Sequence, residues 1–517
     1  MQPAEARRQI ATIYYILGRA QELIVKKLAV HALFAALMVG SQSGLVLAAE
    51  FEMHQMAHFS ALNIIPFALL LASIAVAPFI NRHWWEKNYS RVSFGLGLFV
   101  IAYYLFYIRA SNGFADAAGE TSYGLHKLIH TGVEYYSFIA LIGSLFVVSG
   151  GIFIKVSNRA TPIVNTIILL IGAIVANLLG TTGASMLLIR PFLRINKERV
   201  KGYQVIFFIF IVSNIGGALT PIGDPPLFLG YLKGVPFFWV LGKVWHIWLL
   251  TTVIVLVIFY IIDSINYSRV QDRISKGAAH GQMEVLGKQN FIYLFIILAL
   301  VLMQKAEFIK HLEERMGESG ELFITLIVAT LMIVVSAISY KSSNREALEA
   351  NEFNFLPIKE VAILFAGIFA TMIPALDYLE QNASALGINT YGQFYWGSGI
   401  LSSVLDNAPT YLNFLSAAFG LANLSVDADM AKFLDPTHTI IIGNGLAVHT
   451  WKYVQAISLG AVFFGATTYI GNGPNFMVKS IAEQSGVECP SFFEYIYKYS
   501  LPILIPVYAL IWFLFFR

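Results

Sequence analysis

Two acidic side chains, Asp224 and Asp406, lie in the middle of apolar runs in this 517-residue chain. A carboxylate at the centre of a membrane-spanning helix costs about 2.5–3.5 kcal/mol on insertion scales, so an acid retained there is expected to bind a cation or accept a proton. The residues around each acid suit that chemistry. Asp224 stands in GALTPIGDPPLFL (217–229), with Thr220 and Gly223 before it and Pro225 and Pro226 after it. Asp406 stands in LSSVLDNAPT (401–410), with Ser402 and Ser403 before it and Asn407 and Thr410 after it. Glycine lets backbone approach closely, and proline releases carbonyls from helical bonding. A helix broken at such residues presents unpaired carbonyls at one half-end and unpaired N–H groups at the other. Carbonyls, hydroxyls and amides make a hard oxygen shell for a cation such as Na⁺, while the N–H ends attract an anion.

The first of these segments occurs twice. Residues 465–477 read GATTYIGNGPNFM, and seven of the thirteen positions match residues 217–229, where about one match is expected by chance. Gly471 matches Gly223, Thr468 matches Thr220, and Asn472 stands where the first copy has Asp224. Thr467 and Asn475 complete the polar set of the second copy. In lipid, an interrupted backbone persists only where it faces protein or a water-filled cavity. A pair of interrupted helices at corresponding places in two halves points to the binding site of a transporter.

Composition sets the elements that must carry these residues. The chain is 57% hydrophobic and 13% charged, against about 25% charged in a soluble protein. Apolar runs near 20 residues recur throughout, each long enough for a ~30 Å hydrocarbon core. The chain therefore reads as an all-α polytopic membrane protein, with helices expected at 62–80, 93–109, 132–153, 203–221, 244–264, 290–305, 321–340, 360–376, 453–469 and 498–516. A single cysteine, Cys489, excludes an intrachain disulfide and a thiolate metal cluster. The sequence carries no phosphate-binding loop and no HExxH motif, so ATP-driven transport would need a separate chain. It gives no sign of an enzyme, a resident cofactor or nucleic-acid binding. The basic N-terminus (Arg7, Arg8, Arg19, Lys26, Lys27) precedes an apolar run at 28–49 that ends in Leu47-Ala48-Ala49. It reads as a signal peptide cut near Ala48 or Ala49, or as an uncleaved first helix. Either reading leaves Glu50 outside.

Two further apolar segments are bent in the middle: 161–193, centred on Gly180-Thr181-Thr182-Gly183, and 397–420, centred on Asp406-Asn407-Ala408-Pro409. We read both as re-entrant helical hairpins with tips near mid-membrane. With hairpins that return to their own side, Lys and Arg divide 19 inside against 10 outside, the direction of the positive-inside rule. With simple crossings, the division becomes 12 inside against 17 outside. The hairpin reading gives two inverted repeats, at 132–264 and 360–517, after helices at 50–131 and with connecting helices at 265–359. Four polar sets then converge at the midplane: Thr181, Thr182 and Ser185; Thr220 to Pro226; Ser402, Ser403, Asp406, Asn407 and Thr410; and Thr467 to Asn475. Asn177, Ser213 and Asn214 are expected to pack between helices or to join this site. His438 and His449 read as interfacial, and Arg190 as a positive-inside anchor.

At these residues the chain resembles the ion transporter superfamily. SNIGGALTPIGDPP at 213–226 resembles that family's interrupted-helix motif, and LSSVLDNAPT at 401–410 resembles its hairpin-tip signature. Within the superfamily the sequence is most similar to NhaD-type sodium/proton antiporters and to CitMHS-type citrate transporters. The resemblance implies an inverted-repeat fold, a homodimer and elevator-like movement of the hairpin-bearing part. It also implies cation or proton binding at Asp224, with Asp406, Asn407 and Thr410 at the hairpin tip and Thr220 at the break. The first tip departs from the antiporter pattern, which has an Asp-Asn pair where this chain reads Leu179-Gly180-Thr181-Thr182-Gly183. The leading expectation is a Na⁺/H⁺ antiporter of a bacterial inner membrane, with Na⁺ at Asp224, Asp406 and Asn407. The alternative is Na⁺- or H⁺-coupled uptake of citrate or another carboxylate. A channel or receptor on a transporter scaffold is a third reading, for which no continuous pore is visible.

Overall fold

The computed structural model describes residues 60–108, 123–155, 161–270, 284–304, 306–316, 319–383, 387–442 and 445–517. The N-terminal leader reading and the placement of Glu50 lie outside these residues. Without water in the hydrocarbon, each backbone N–H and C=O must find an internal partner, and the apolar runs accordingly fold as helices. Among the described residues nine helices are long and apolar enough to cross a membrane. Among the described residues, strand is confined to two short antiparallel pairs, Phe153–Lys155 with Glu284–Leu286 and Thr439–Ile441 with Ala447–His449.

The segment Pro162–Ile195 has the length of one long helix, but two contacts show that it doubles back. The side-chain amides of Asn165 and Asn196 exchange two hydrogen bonds, of 2.9 and 2.8 Å. In a straight helix these residues would be about 46 Å apart. Gly172 also packs against Leu188. The turn is made at Gly180, where φ is +74°, a conformation open to glycine without a steric penalty. This first hairpin starts at Thr161, whose hydroxyl accepts from Val164 N at 3.3 Å. The second has arms Tyr391–Val404 and Asn407–Leu421. Thr390 caps it in the same way through a reciprocal bond with Gln393, and the Phe394 and Phe414 rings pack across the arms at 6.0 Å.

The expected helix at 203–221 is broken. Gly202–Ile211 is followed by a tight turn at Ile215–Leu219 and an extended stretch, and a new helix runs from Pro225 to Leu232. The second break repeats this order, with Trp451–Phe464, a turn at Gly465–Thr467, and a helix at Gly473–Gln484. Helix, hairpin, broken helix and long helix thus occur twice in the same order. The flanking long helices are Tyr123–Gly150 and Phe237–Val270 in the first unit. In the second they are Leu356–Asn382 and the span ending at Phe515.

The units interlock. The first hairpin packs against Gly473–Gln484 of the other unit, and Asn407–Leu421 packs against Pro225–Leu232. Arg82–Ala102 and Ser319–Ser342 lie outside this core, against Leu356–Asn382 and Tyr123–Gly150 respectively. Small residues set the outer contact: Gly97 and Gly367 approach closely, and Ser93 Oγ donates to the Ile363 carbonyl at 2.8 Å.

A charged network ties the feet of the first hairpin. Arg199 donates to both oxygens of the fully buried Asp263, at 2.8 and 2.7 Å. Tyr203 (2.5 Å), Gln204 (3.0 Å) and Asn165 (3.0 Å) also donate to that carboxylate. The network joins the hairpin, the broken helix and the long helix of one unit. Replacing Asp263 with Ala strands the Arg199 charge and should cost on the order of 3–5 kcal/mol. Thermal unfolding in detergent is expected to show a large fall in midpoint for Asp263→Ala. Glu284→Ala, which removes an exposed partner of Lys155 at 3.7 Å, should leave the midpoint nearly unchanged.

Candidate functional site

The two breaks are built by the same local rules. In each, a threonine hydroxyl accepts from the glycine N–H three residues on: Gly223 N to Thr220 Oγ1 at 3.1 Å, and Gly471 N to Thr468 Oγ1 at 3.0 Å. Each hydroxyl donates to the facing hairpin at 2.6 Å, Thr220 to the Asn177 carbonyl and Thr468 to the Ser403 carbonyl. Gly217 touches Gly223, and Gly465 touches Gly471, so closely that a Cβ on Gly223 would collide with the Gly217 carbonyl. These close approaches require glycine, and they hold each break against its hairpin tip, as in the bond from Thr181 N to the Gly223 carbonyl at 2.8 Å.

At the meeting point lies Asp224, buried to 1% exposure. Three side chains donate to its carboxylate: Thr181 Oγ1 at 2.7 Å, Asn472 Nδ2 at 3.0 Å and Asn407 Nδ2 at 2.6 Å. They come from the first hairpin tip, the second break and the second hairpin tip, so all four segments contribute to one cluster. All three donors are neutral. Asp224 occupies the N-cap position of Pro225–Leu232, yet its side chain makes no capping bond. Its carboxylate turns into the cluster instead.

Around this centre Asn214 donates to Asn475 Oδ1 at 2.7 Å. Asn472 also donates to the Ser213 carbonyl at 3.1 Å and to Asn214 Oδ1 at 3.2 Å. Asn475 donates to the carbonyls of Gly465 and Thr468 at 2.7 and 2.9 Å. Asn177 ties its hairpin to the first break, donating to Gly216 O at 2.7 Å and accepting from Leu219 N at 2.9 Å. Asn407 Oδ1 is buried and has no hydrogen-bond partner. A cavity of about 30 Å³, room for one or two water-sized species, lies between the tip residues Gly180 to Gly183, Pro221 to Gly223 and the helix Tyr123–Gly150. Thr181 and Thr182 line it.

The other expected residues are placed differently. Asp406 is half-buried and caps the helix Asn407–Leu421, its Oδ1 accepting from Ala408 N at 3.1 Å. Ser185 pairs with Ser213 at 2.8 Å, one layer from the centre. The hydroxyls of Ser402, Ser403, Thr410 and Thr467 donate to the carbonyls of Ala461, Ile400, Asp406 and Phe464. None of these four reaches Asp224. Arg190 pairs with Glu352 at 3.0 Å, and His438 faces Thr450 at 3.0 Å, both away from the cluster.

A second polar group was not anticipated. Lys233, directly after the first broken helix, contacts Glu134 at 2.7 Å and Asp427 at 2.9 Å. Lys127 contacts the same Asp427 at 3.0 Å and Asp377 at 3.5 Å, and Tyr104 donates to Asp377 at 2.8 Å. The acids Glu134 and Asp377 in apolar helices were the available signal, but their partners are far away in sequence, on other helices, at a helix end and in the loop carrying Asp427.

Hairpins and broken helices gathered round one buried acid, within a set of apolar spans, define a polytopic membrane protein, and its family and relatives make it a transporter rather than an enzyme. Residues 56–516 match the family described as "Putative citrate transport", and the chain belongs to it. It is 24% identical over 392 residues to a 46 kDa membrane protein of Mycobacterium leprae, covering 71% of this chain and 83% of that one. It is also 24% identical over 409 residues to uncharacterized transporters of Mycobacterium bovis and Mycobacterium tuberculosis, covering 73% of this chain and 85% of each.

The Lys233 group generates a prediction of its own. Lys233 foremost, with Lys127, holds the Asp427 carboxyl well below the usual carboxylate range against the opposing effect of burial. A depressed carboxyl contributes stability above its unfolded pKa of about 3.9 and loses it only as pH falls through the lower folded value. The bridge is therefore charged throughout pH 5 to 8. Asp427→Asn should lower the unfolding midpoint by the same small amount, corresponding to about 1 kcal/mol or less, at pH 5 and at pH 8. A difference that disappears at pH 5 would show that the carboxylate is already protonated there.

Proposed function

We propose that this chain is a secondary active transporter in which Asp224 is loaded alternately with Na⁺ and H⁺, working as a Na⁺/H⁺ antiporter. One observation carries the reading: a fully buried carboxylate whose partners among the described residues are all neutral donors. A buried anion without a basic neighbour is a site for a cation. The free Asn407 Oδ1 supplies a further oxygen for Na⁺, and the Thr181 hydroxyl reaches the small cavity through which the site would exchange. Asp406 stands one residue from Asn407 and acts as a second acid at the tip, setting the local potential and the start of its half-helix. The recurrence of the same contacts in two units supports inverted repeats and alternating access about this point.

A second reading, coupled uptake of a carboxylate such as citrate, is favoured by the family description. In that case Asp224 remains the coupling site, and the anion sits against the hydroxyls and half-helix N-termini around it.

Proteoliposomes with an imposed pH gradient test both. Antiport predicts that a Na⁺ pulse dissipates the gradient with no organic anion present, and that lowering the pH raises the apparent KM for Na⁺. Asp224→Asn should reduce the response to that of protein-free liposomes. Thr181→Ala, which removes one charge-assisted bond, should weaken apparent Na⁺ affinity about tenfold. Asp406→Asn, which preserves a cap, should slow exchange without abolishing it. Full exchange by Asp224→Asn would overturn the assignment. Proton movement only when citrate is added would replace antiport with symport.

A further inference from the structure

The start of Gly202–Ile211 and the last turn of Phe237–Val270 enclose a cavity of about 210 Å³, separate from the Asp224 cluster. It is lined by Lys201, Tyr203, Ile262, Ile265, Asn266 and Arg269. We propose that this cavity holds the headgroup of an anionic phospholipid bearing a free hydroxyl, such as phosphatidylglycerol.

The charge comes first. Lys201 and Arg269 are both exposed, and among the described residues neither is held in an ion pair. The acid behind them, Asp263, is saturated by Arg199, Tyr203, Gln204 and Asn165. The cavity mouth is therefore cationic. It also lies at the N-terminus of a ten-residue helix, whose first N–H groups favour an anion.

The second observation concerns Asn266. Its side chain is 6% exposed and its Oδ1 has no hydrogen-bond partner, while its amide nitrogen makes a long 3.5 Å contact to the Arg199 carbonyl and also faces the Tyr203 hydroxyl. A buried unpaired acceptor is costly. The phosphodiester of a lipid carries no donor at neutral pH, but a headgroup hydroxyl would donate to Asn266 Oδ1 while the phosphate rests between the two basic side chains.

The third observation distinguishes a lipid from a soluble anion. Ile265, in the lining, and Ile261 beside it are 50% and 52% exposed on a membrane-spanning helix. Acyl chains from a headgroup seated here would run along that apolar face. Lys201 and Arg269 are also both assigned to the cytoplasmic side by the positive-inside count, the side on which basic juxtamembrane residues meet anionic lipid.

Native mass spectrometry of the purified full-length protein, titrated with phosphatidylglycerol or phosphatidylcholine, tests the site. The expected result is phosphatidylglycerol retained under activation that strips phosphatidylcholine. Lys201→Ala with Arg269→Ala should weaken that retention about 30-fold, a factor of about five for each basic side chain. Asn266→Leu should weaken it several-fold while leaving both charges in place. Equal retention of the two lipids, or unchanged phosphatidylglycerol binding by the double variant, overturns the proposal. A parallel thermal-shift series with inorganic phosphate separates the sources. Stabilisation by phosphate equal to that by phosphatidylglycerol would assign the cavity to a soluble anion and overturn the lipid assignment.

Discussion

A buried carboxylate that meets neutral donors among the described residues dictates how the centre of this molecule must be made. Asp224 can remain there only if its oxygens are met by donors, and bonds to a charged group contribute about 1.5–3 kcal/mol each. The chain supplies three, from Thr181, Asn407 and Asn472. No two of these donors share a segment. Each of those segments must therefore end or turn at the same depth, which a continuous helix cannot do. The glycines at 180, 217, 223, 465 and 471 and the prolines at 225, 226 and 474 follow from that requirement. They allow backbone to touch backbone, and they free the termini on which the polar side chains stand.

The two units share a plan but not a chemistry, and the contact between them gives the reason. Asp224 and Asn472 occupy matching places and lie within hydrogen-bonding distance of each other. A carboxylate at both would set two like charges about 3 Å apart, and one of them would be forced to hold a proton permanently. An amide at 472 instead donates to the acid it faces. The hairpin tips diverge in the same way: the turn is Gly180 in one and Asp406 in the other, followed by Thr181 and Asn407, which both donate to Asp224. One acid per pair of matching positions leaves a single carboxylate, Asp224, at the centre of the cluster.

The repeated thirteen-residue segment and the bent apolar runs made the breaks and hairpins legible, because each depends on local residue types. Gly180 and the Asp406-Asn407 pair mark turns that any chain with those residues would favour. The roles inside the cluster were less readable. Asn177 and Asn214 join the site, yet an asparagine in an apolar helix gives no sign of which carbonyl it will meet. Asp406 and Asp224 look alike in sequence, and only the direction of each side chain separates a helix cap from a cluster centre. The Arg199–Asp263 pair was hidden for another reason. Arg199 stands among five basic residues at a helix end, where charge ordinarily serves orientation, and its partner is 64 residues away.

The polar contacts away from the centre fall into two kinds, and the distinction bears on movement. The Asp263 network joins Asn165, Asn196, Arg199, Tyr203 and Gln204, all within the first unit. Such a network keeps hairpin, broken helix and long helix together as one body, because separating any of them would expose a buried charge. The Lys233 group is different. It runs from the end of the first broken helix through Asp427, beyond the second hairpin, to Glu134 and Lys127 on Tyr123–Gly150 and on to Asp377 on Leu356–Asn382. Asp427, which links Lys233 to Lys127, is 47% exposed, so water can replace its two partners at small cost, whereas Glu134 and Asp377 lie deeper. If the parts carrying the hairpins move against Tyr123–Gly150 and Leu356–Asn382, the Lys233 group must part while the Asp263 network stays whole. A saturated, buried network within one unit with a half-exposed Asp427 contact between elements is the arrangement such a movement would use.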